Sequence, residues 1–117
     1  METIPKLHHA QVVKGGKPIA TLTYLGQDMP EGGYTEWGST TIHLLVRLAK
    51  GIFQMEAEYA IIVRSLMRYN CDEKQVLGSE TSGATILVRL KLHKPILRNE
   101  KTYILSLARK ASEALRA

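Results

Sequence analysis

The residues Thr85-Ile86-Leu87-Val88-Arg89-Leu90-Lys91-Leu92-His93 alternate without a break. Ile86, Val88, Leu90 and Leu92 fall on one side, and Thr85, Leu87, Arg89, Lys91 and His93 on the other. Side chains of a strand project to opposite faces with a period of two, so the pattern predicts a strand with one apolar and one largely basic face. Residues 41–48 repeat it: Ile42, Leu44, Val46 and Leu48 against Thr41, His43, Leu45 and Arg47. Upstream, two β-prone segments flank Lys14-Gly15-Gly16-Lys17, which predicts a hairpin over 6–26, since glycine reaches the positive φ that tight hairpin turns demand. Pro18 lacks an amide donor and belongs at a strand start or on an edge. Residues 27–39 carry turn chemistry around Pro30, Gly32 and Gly33.

Residues 55–69 fit two periods. Met55, Tyr59, Ile62, Val63 and Leu66 have helical spacing, while Ala57, Tyr59, Ile61, Val63 and Ser65 alternate as in a strand, and β-branched Ile61-Ile62-Val63 favours the strand. A shift of 44 residues superposes Thr41, Ile42, Leu48, Lys50, Ile52, Glu56 and Tyr59 on Thr85, Ile86, Leu92, Lys94, Ile96, Glu100 and Tyr103. Read as a β-α duplication, that echo places a helix at 55–69 and describes a small βαβα RNA-binding domain. The polar run 70–83 reads as a long loop, and loops of this length in a small domain are commonly functional or variable. Asn99 offers a helix N-cap and Glu100 a first-turn negative charge. Tyr103, Ile104, Leu107, Ala108, Ala111 and Leu115 form one helical stripe, predicting a helix over 99–116.

The chain has 117 residues, 44% hydrophobic and 23% charged, which fits one globular domain. Sixteen lysines and arginines against eleven acids give a net charge of +5, which favours anionic partners such as nucleic acid. The single Cys71 cannot build an internal disulfide framework, and no Cys/His spacing suits zinc. The opening METIPKLHHAQ lacks the apolar run of a signal peptide, and nothing approaches the ~20 apolar residues of a membrane span. His8, His9, His43 and His93 are scattered, no nucleophile-base or paired-carboxylate arrangement accompanies them, and Gly15-Gly16 is a turn rather than a phosphate loop. Neither catalysis nor a cofactor nor a bound metal is expected.

Taken in order, the segments resemble the coat proteins of single-stranded RNA bacteriophages, the leviviruses. Gly32-Gly33-Tyr34-Thr35-Glu36-Trp37 is similar to that family's Asn-Gly-Val-Ala-Glu-Trp segment, and Val46-Arg47 to the basic end of its first long strand. Glu58-Tyr59-Ala60-Ile61-Ile62-Val63-Arg64 resembles its Tyr-led second strand, and Leu90-Lys91-Leu92-His93-Lys94-Pro95-Ile96-Leu97 its last strand and exit into the helix. The resemblance spans nearly the whole chain and rests on order more than on any one motif.

It implies an α+β fold: an N-terminal hairpin, an antiparallel β-meander with strands at 40–49, 54–68 and 84–94, a flexible loop at 70–83 and a C-terminal amphipathic helix. The 44-residue echo then becomes coincidence between two strands. The sheet would continue across a homodimer, because its apolar side exceeds what one helix covers and a partner's helix would complete the cover. The function implied is a capsid protein that assembles into an icosahedral shell in the bacterial cytoplasm, packages genomic RNA on its basic inner face and represses translation by holding an RNA hairpin. Thr41, His43, Arg47, Ala60, Ile62, Arg64, Leu87, Arg89, Lys91 and Tyr34 become the RNA-binding positions, the cations for phosphates and Tyr34 for base stacking. Cys71, Gly78 and Gly83 fall in the loop between dimers, with Cys71 a free thiol. The polar base pockets of hairpin-reading relatives are missing at His43, Leu45, Ala60 and Ile62, and Leu87 stands at their stacking aromatic, so packaging is expected over hairpin reading.

Overall fold

A computed structural model describes residues 7–28, 40–67, 71–80, 83–92, 96 and 99–116. Strands β1 (His8–Lys14), β2 (Lys17–Asp28) and β3 (Thr40–Leu48) lead to helix α1 (Glu56–Met67). Strands β4 (Cys71–Glu80) and β5 (Gly83–Leu92) then lead to helix α2 (Glu100–Arg116). The strands form one antiparallel sheet in the order β1-β2-β3-β5-β4. No described helix is long and apolar enough to cross a membrane.

The alternation in the sequence sets the two faces of this sheet. Ala10, Val12, Ala20, Leu22, Tyr24, Ile42, Leu44, Val46, Leu48, Ala84, Ile86, Val88 and Leu90 all lie on one face and are at most 4% exposed. The hairpin turn requires its glycines, since Gly15 has φ 60° and Gly16 φ 79°. Gly83 is tightly placed for another reason: a Cβ there would stand 3.1 Å from the Leu48 carbonyl oxygen, so the backbone would have to give by a few tenths of an ångström.

Both helices cover the apolar face. From α2, Ile104, Leu107, Ala108, Ala111 and Leu115 join the core; from α1 and the turn before it come Met55, Ile62 and Leu66. Ser112 fastens α2 to the edge of β1, its Oγ accepting the Val13 N–H at 3.0 Å and donating to the Ala108 carbonyl at 2.8 Å. Gln27 anchors the approach to α2, its amide donating to the Ile96 carbonyl at 2.6 Å and accepting the Ile96 N–H at 2.9 Å.

Two expectations fail. Residues 54–68 do not form a strand: Glu56–Met67 is helical. Met55, Ile62 and Leu66 recur at the period of one helix face and are at most 5% exposed, and Glu56 and Glu58 open the helix with the sign its dipole favours. This packing outweighs the strand preference of Ile61-Ile62-Val63, which is a local propensity that tertiary context overrides. Most of the loop expected at 70–83 is strand instead. Cys71–Glu80 is an edge strand on β5, with register shifts between Cys71 and Glu73 and between Val76 and Gly78. Polar composition suits an exposed edge as well as it suits a loop.

The helix at α1 also removes the argument for a partner's helix, because the chain covers its apolar face from within. The 44-residue echo is then structural: α1 begins at Glu56 and α2 at Glu100, and the amides of Tyr59 and Tyr103 bond the carbonyls of Met55 and Asn99 at 2.8 and 3.0 Å. Leu44 pairs with Val88, flanked by Ile42 with Leu90 and Val46 with Ile86, so a local two-fold axis through that rung exchanges β3 and β5. With β2 outside β3 and β4 outside β5, the chain is two ββα units around this axis, preceded by β1.

Candidate nucleic-acid interface

The second face of the sheet carries the residues that alternate with the core. The core-forming residues of both described helices lie against the other face, and the described side chains of this one are half-buried or exposed. On the central pair of strands the register sets Thr41 opposite Lys91, His43 opposite Arg89, Leu45 opposite Leu87, and Arg47 opposite Thr85. Residues directly opposite lie about 5 Å apart and the rungs of one face about 7 Å, so this ladder is about 20 Å long.

Strands β1 and β2 widen the face. Thr23 stands between His9 and Leu45, and Thr21 between Gln11 and Arg47. Two contacts fix imidazoles: the His43 Nε2 lies 2.7 Å from the Asp28 carboxylate, and the His9 Nδ1 lies 2.9 Å from the Thr23 hydroxyl. On the far side, Glu73 is the backbone partner of Arg89. The result is an apolar middle, Leu45 and Leu87, flanked by cations, hydroxyls and imidazoles. Such a surface can meet phosphates with charge and the ribose or bases with hydroxyls and aliphatic carbon.

Six of the expected RNA-binding positions therefore share this face: Thr41, His43 and Arg47 on β3, and Leu87, Arg89 and Lys91 on β5 by backbone register. Ala60, Ile62 and Arg64 do not. They lie on α1, in the layer behind the sheet, where Ile62 is 0% exposed in the core and Ala60 and Arg64 face solvent. Their assignment followed from reading 54–68 as a strand and falls with it. Tyr34 lies outside the described residues. Cys71 and Gly78 belong to β4, and Gly83 opens β5, so the expected loop between dimers is a strand pair here.

Sequence reasoning missed the hairpin's share, His9, Gln11, Thr21 and Thr23. The alternation of Thr21 and Thr23 with Ala20 and Leu22 was the available signal, though it did not say that β2 extends the same sheet as β3. A concavity of about 1000 Å³ lies elsewhere, between β1 and α2, and is lined by Gln11, Val13, Leu105, Arg109, Ser112 and Arg116 among others. It shares only Gln11 and Val13 with the two outer strands. Among the described residues no cluster of histidine, cysteine and carboxylate side chains suits a metal ion.

The shifted acid-base groups lie off the ladder. Burial, and then the charge of Glu100, pushes the Tyr24 hydroxyl up to about 12; burial, and then Tyr24, does the same to Tyr103. Glu58 is held below the usual carboxylate range by its hydrogen bond from Lys14, 3.0 Å away. No family model matches the sequence, and neither a curated protein nor a solved structure matches it.

Proposed function

We propose that this protein binds single-stranded RNA on the open face of its sheet, in the coat-protein role that the sequence resemblance implies. In that role copies assemble as homodimers into a virion shell, with helices on one side of the sheet and packaged RNA on the other. The observation that carries the reading is the register of β3 and β5, which by backbone alternation sets Arg47, Arg89, Lys91 and His43 on one face of the sheet while the described helices pack on the other. A face of this composition binds mainly through phosphate neutralisation and counterion release, with little reading of sequence.

The internal cover supplied by α1 favours a second reading. The same RNA face would then belong to a stand-alone RNA-binding domain that forms no shell, since among the described residues the chain's own two helices pack on the apolar face of the sheet.

Binding of a labelled single-stranded RNA 20-mer, followed by fluorescence anisotropy across a salt series, tests the common element. Arg47→Ala with Arg89→Ala should weaken binding at every sequence tried and flatten the log-log salt slope by about 1.4, at about 0.7 per phosphate contact on a single strand. Absence of salt-dependent binding by the intact protein refutes the RNA face. Light scattering on the purified protein separates the two settings: particles carrying RNA support the shell, and a dispersed 13.1 kDa species supports the stand-alone domain.

A further inference from the structure

The turn between β3 and α1 holds an aromatic ring out in water. Phe53 is 86% exposed, more than any other large apolar residue among those described. The turn that carries it is fastened at both ends. Gln54 N–H donates to the Gly51 carbonyl at 3.1 Å, Lys50 N–H reaches the Met55 sulfur at 3.2 Å, and Gly51 and Met55 are buried. Ile52, beside Phe53, packs on the core. The ring is thus displayed by a tethered turn, where hydrophobicity alone would favour folding it inward.

Its surroundings are cationic. Arg47, on the open face, ends the ladder six residues before Phe53, and Lys50 opens the turn; both are exposed. The start of β2 comes alongside because the Ala49 N–H donates to the Ile19 carbonyl at 2.8 Å, which brings exposed Lys17 to the same end of the sheet. Acids at this end include Glu56 and Glu58 on α1, with Glu58 paired to Lys14, and Glu80, which ends β4 two strands from β3. A hollow of about 150 Å³, lined by Pro18, Ala20, Thr21, Arg47, Leu48 and Ala49, joins the open face to this corner.

We propose that Phe53 is a base-stacking platform for a single-stranded RNA that leaves the open face past Arg47, with Lys17 and Lys50 receiving the adjoining phosphates. A cationic track ending on an exposed aromatic ring is the arrangement that binds single strands without base preference, since every base has a π-face. The proposal rests on the RNA-binding reading above and adds to it a site off the sheet.

The test compares the protein with Phe53→Ala and Phe53→Trp, each checked for fold by circular dichroism. The probes are a labelled single-stranded RNA 12-mer and a 12-mer of the same backbone whose nucleotides are abasic. Phe53→Ala should weaken binding of the intact strand about 5- to 100-fold with an unchanged salt slope, and leave the abasic strand's affinity as it was. Phe53→Trp should retain affinity, and its fluorescence should be quenched by the intact strand beyond any change given by Trp37 in the parent protein.

Equal affinity of Phe53→Ala and parent for the intact strand, with Arg47→Ala still weakening it, overturns the stacking site and leaves the RNA face standing. Equal losses on both strands, or a changed oligomeric state with RNA affinity intact, also overturn it, the latter marking Phe53 as a protein contact. A parent protein that binds neither strand removes the RNA face and the stacking site together.

Discussion

Ile62→Ala discriminates most sharply between a helix and a strand over 56–67. In the structure Ile62 is 0% exposed, on the core side of α1 with Leu66. As a strand residue it would instead have stood on the RNA side beside Ala60 and Arg64. The substitution deletes three buried carbons, at about 0.8 kcal/mol each, and leaves a cavity under α1. A loss of about 3 to 4 kcal/mol follows, a large share of the 5–15 kcal/mol of a typical domain. Ile62→Val, which removes one carbon, should cost about 1 kcal/mol. Arg64→Ala, on the solvent side of α1, should stay within about 0.5 kcal/mol. Urea unfolding followed by circular dichroism reads all three, with an unchanged m-value certifying that midpoint shifts report stability. RNA affinity of Ile62→Val should equal that of the parent. A cost below about 1 kcal/mol for Ile62→Ala, or weaker RNA binding by folded Ile62→Val, would place Ile62 outside the core and refute the helical layer.

Ser112→Ala strips the partner from the Val13 N–H and should cost about 1–2 kcal/mol, part of the loss being offset by alanine's better helix propensity. The Val13 amide should then exchange with deuterium faster, and unchanged protection would exclude the tie. Tyr24→Phe removes a hydroxyl that is buried with no partner among the described residues, so stability near neutral pH should hold or rise slightly. Because the hydroxyl's folded value is pushed up to about 12 from 10.0, the unfolded chain ionises first. Stability is therefore whole below pH 10 and falls between 10 and 12, by about 2.7 kcal/mol for a shift of that size. Tyr24→Phe should remove that share of the alkaline fall; melting temperatures at pH 9 and pH 11 that drop as steeply in the variant as in the parent would refute the assignment.

The hairpin, β3, β5 and α2 were legible because one period governed each. Strict alternation over 41–48 and 85–92 fixed both faces of the sheet, and the stripe from Ile104 to Leu115 fixed α2. Asn99 and Glu100 marked its start correctly, although Asn99 takes φ 57° rather than the extended backbone usual at an N-cap. Residues 56–67 carried two periods at once, and the choice between them depended on a tertiary fact, an uncovered apolar sheet face needing a second helix. The 44-residue echo pointed to the helix, and the family resemblance pointed away from it. Strand β4 was illegible for a different reason: Asp72, Glu73, Lys74 and Gln75 have no apolar alternation, and the strand exists because β5 offers a free edge. The share of the candidate site on β3 and β5 followed from alternation alone. The contribution of Thr21 and Thr23 required knowing that β2 joins β3, and Phe53 required knowing that its turn is tied down.

The axis through Leu44 and Val88 bears on how a strand of RNA would lie. RNA runs from 5′ to 3′, whereas a two-fold surface has no preferred sense, so equivalent halves would accept a strand threaded either way round. Thr41 with Thr85 and Arg47 with Lys91 are matched in this manner, but the exchange sets His43 against Leu87 and Leu45 against Arg89. Both mismatches express one asymmetry, the His43–Arg89 rung towards one end set against the Leu45–Leu87 rung towards the other, so a preferred sense along the sheet has to originate in that charged rung or in the Phe53 turn beyond the opposite end.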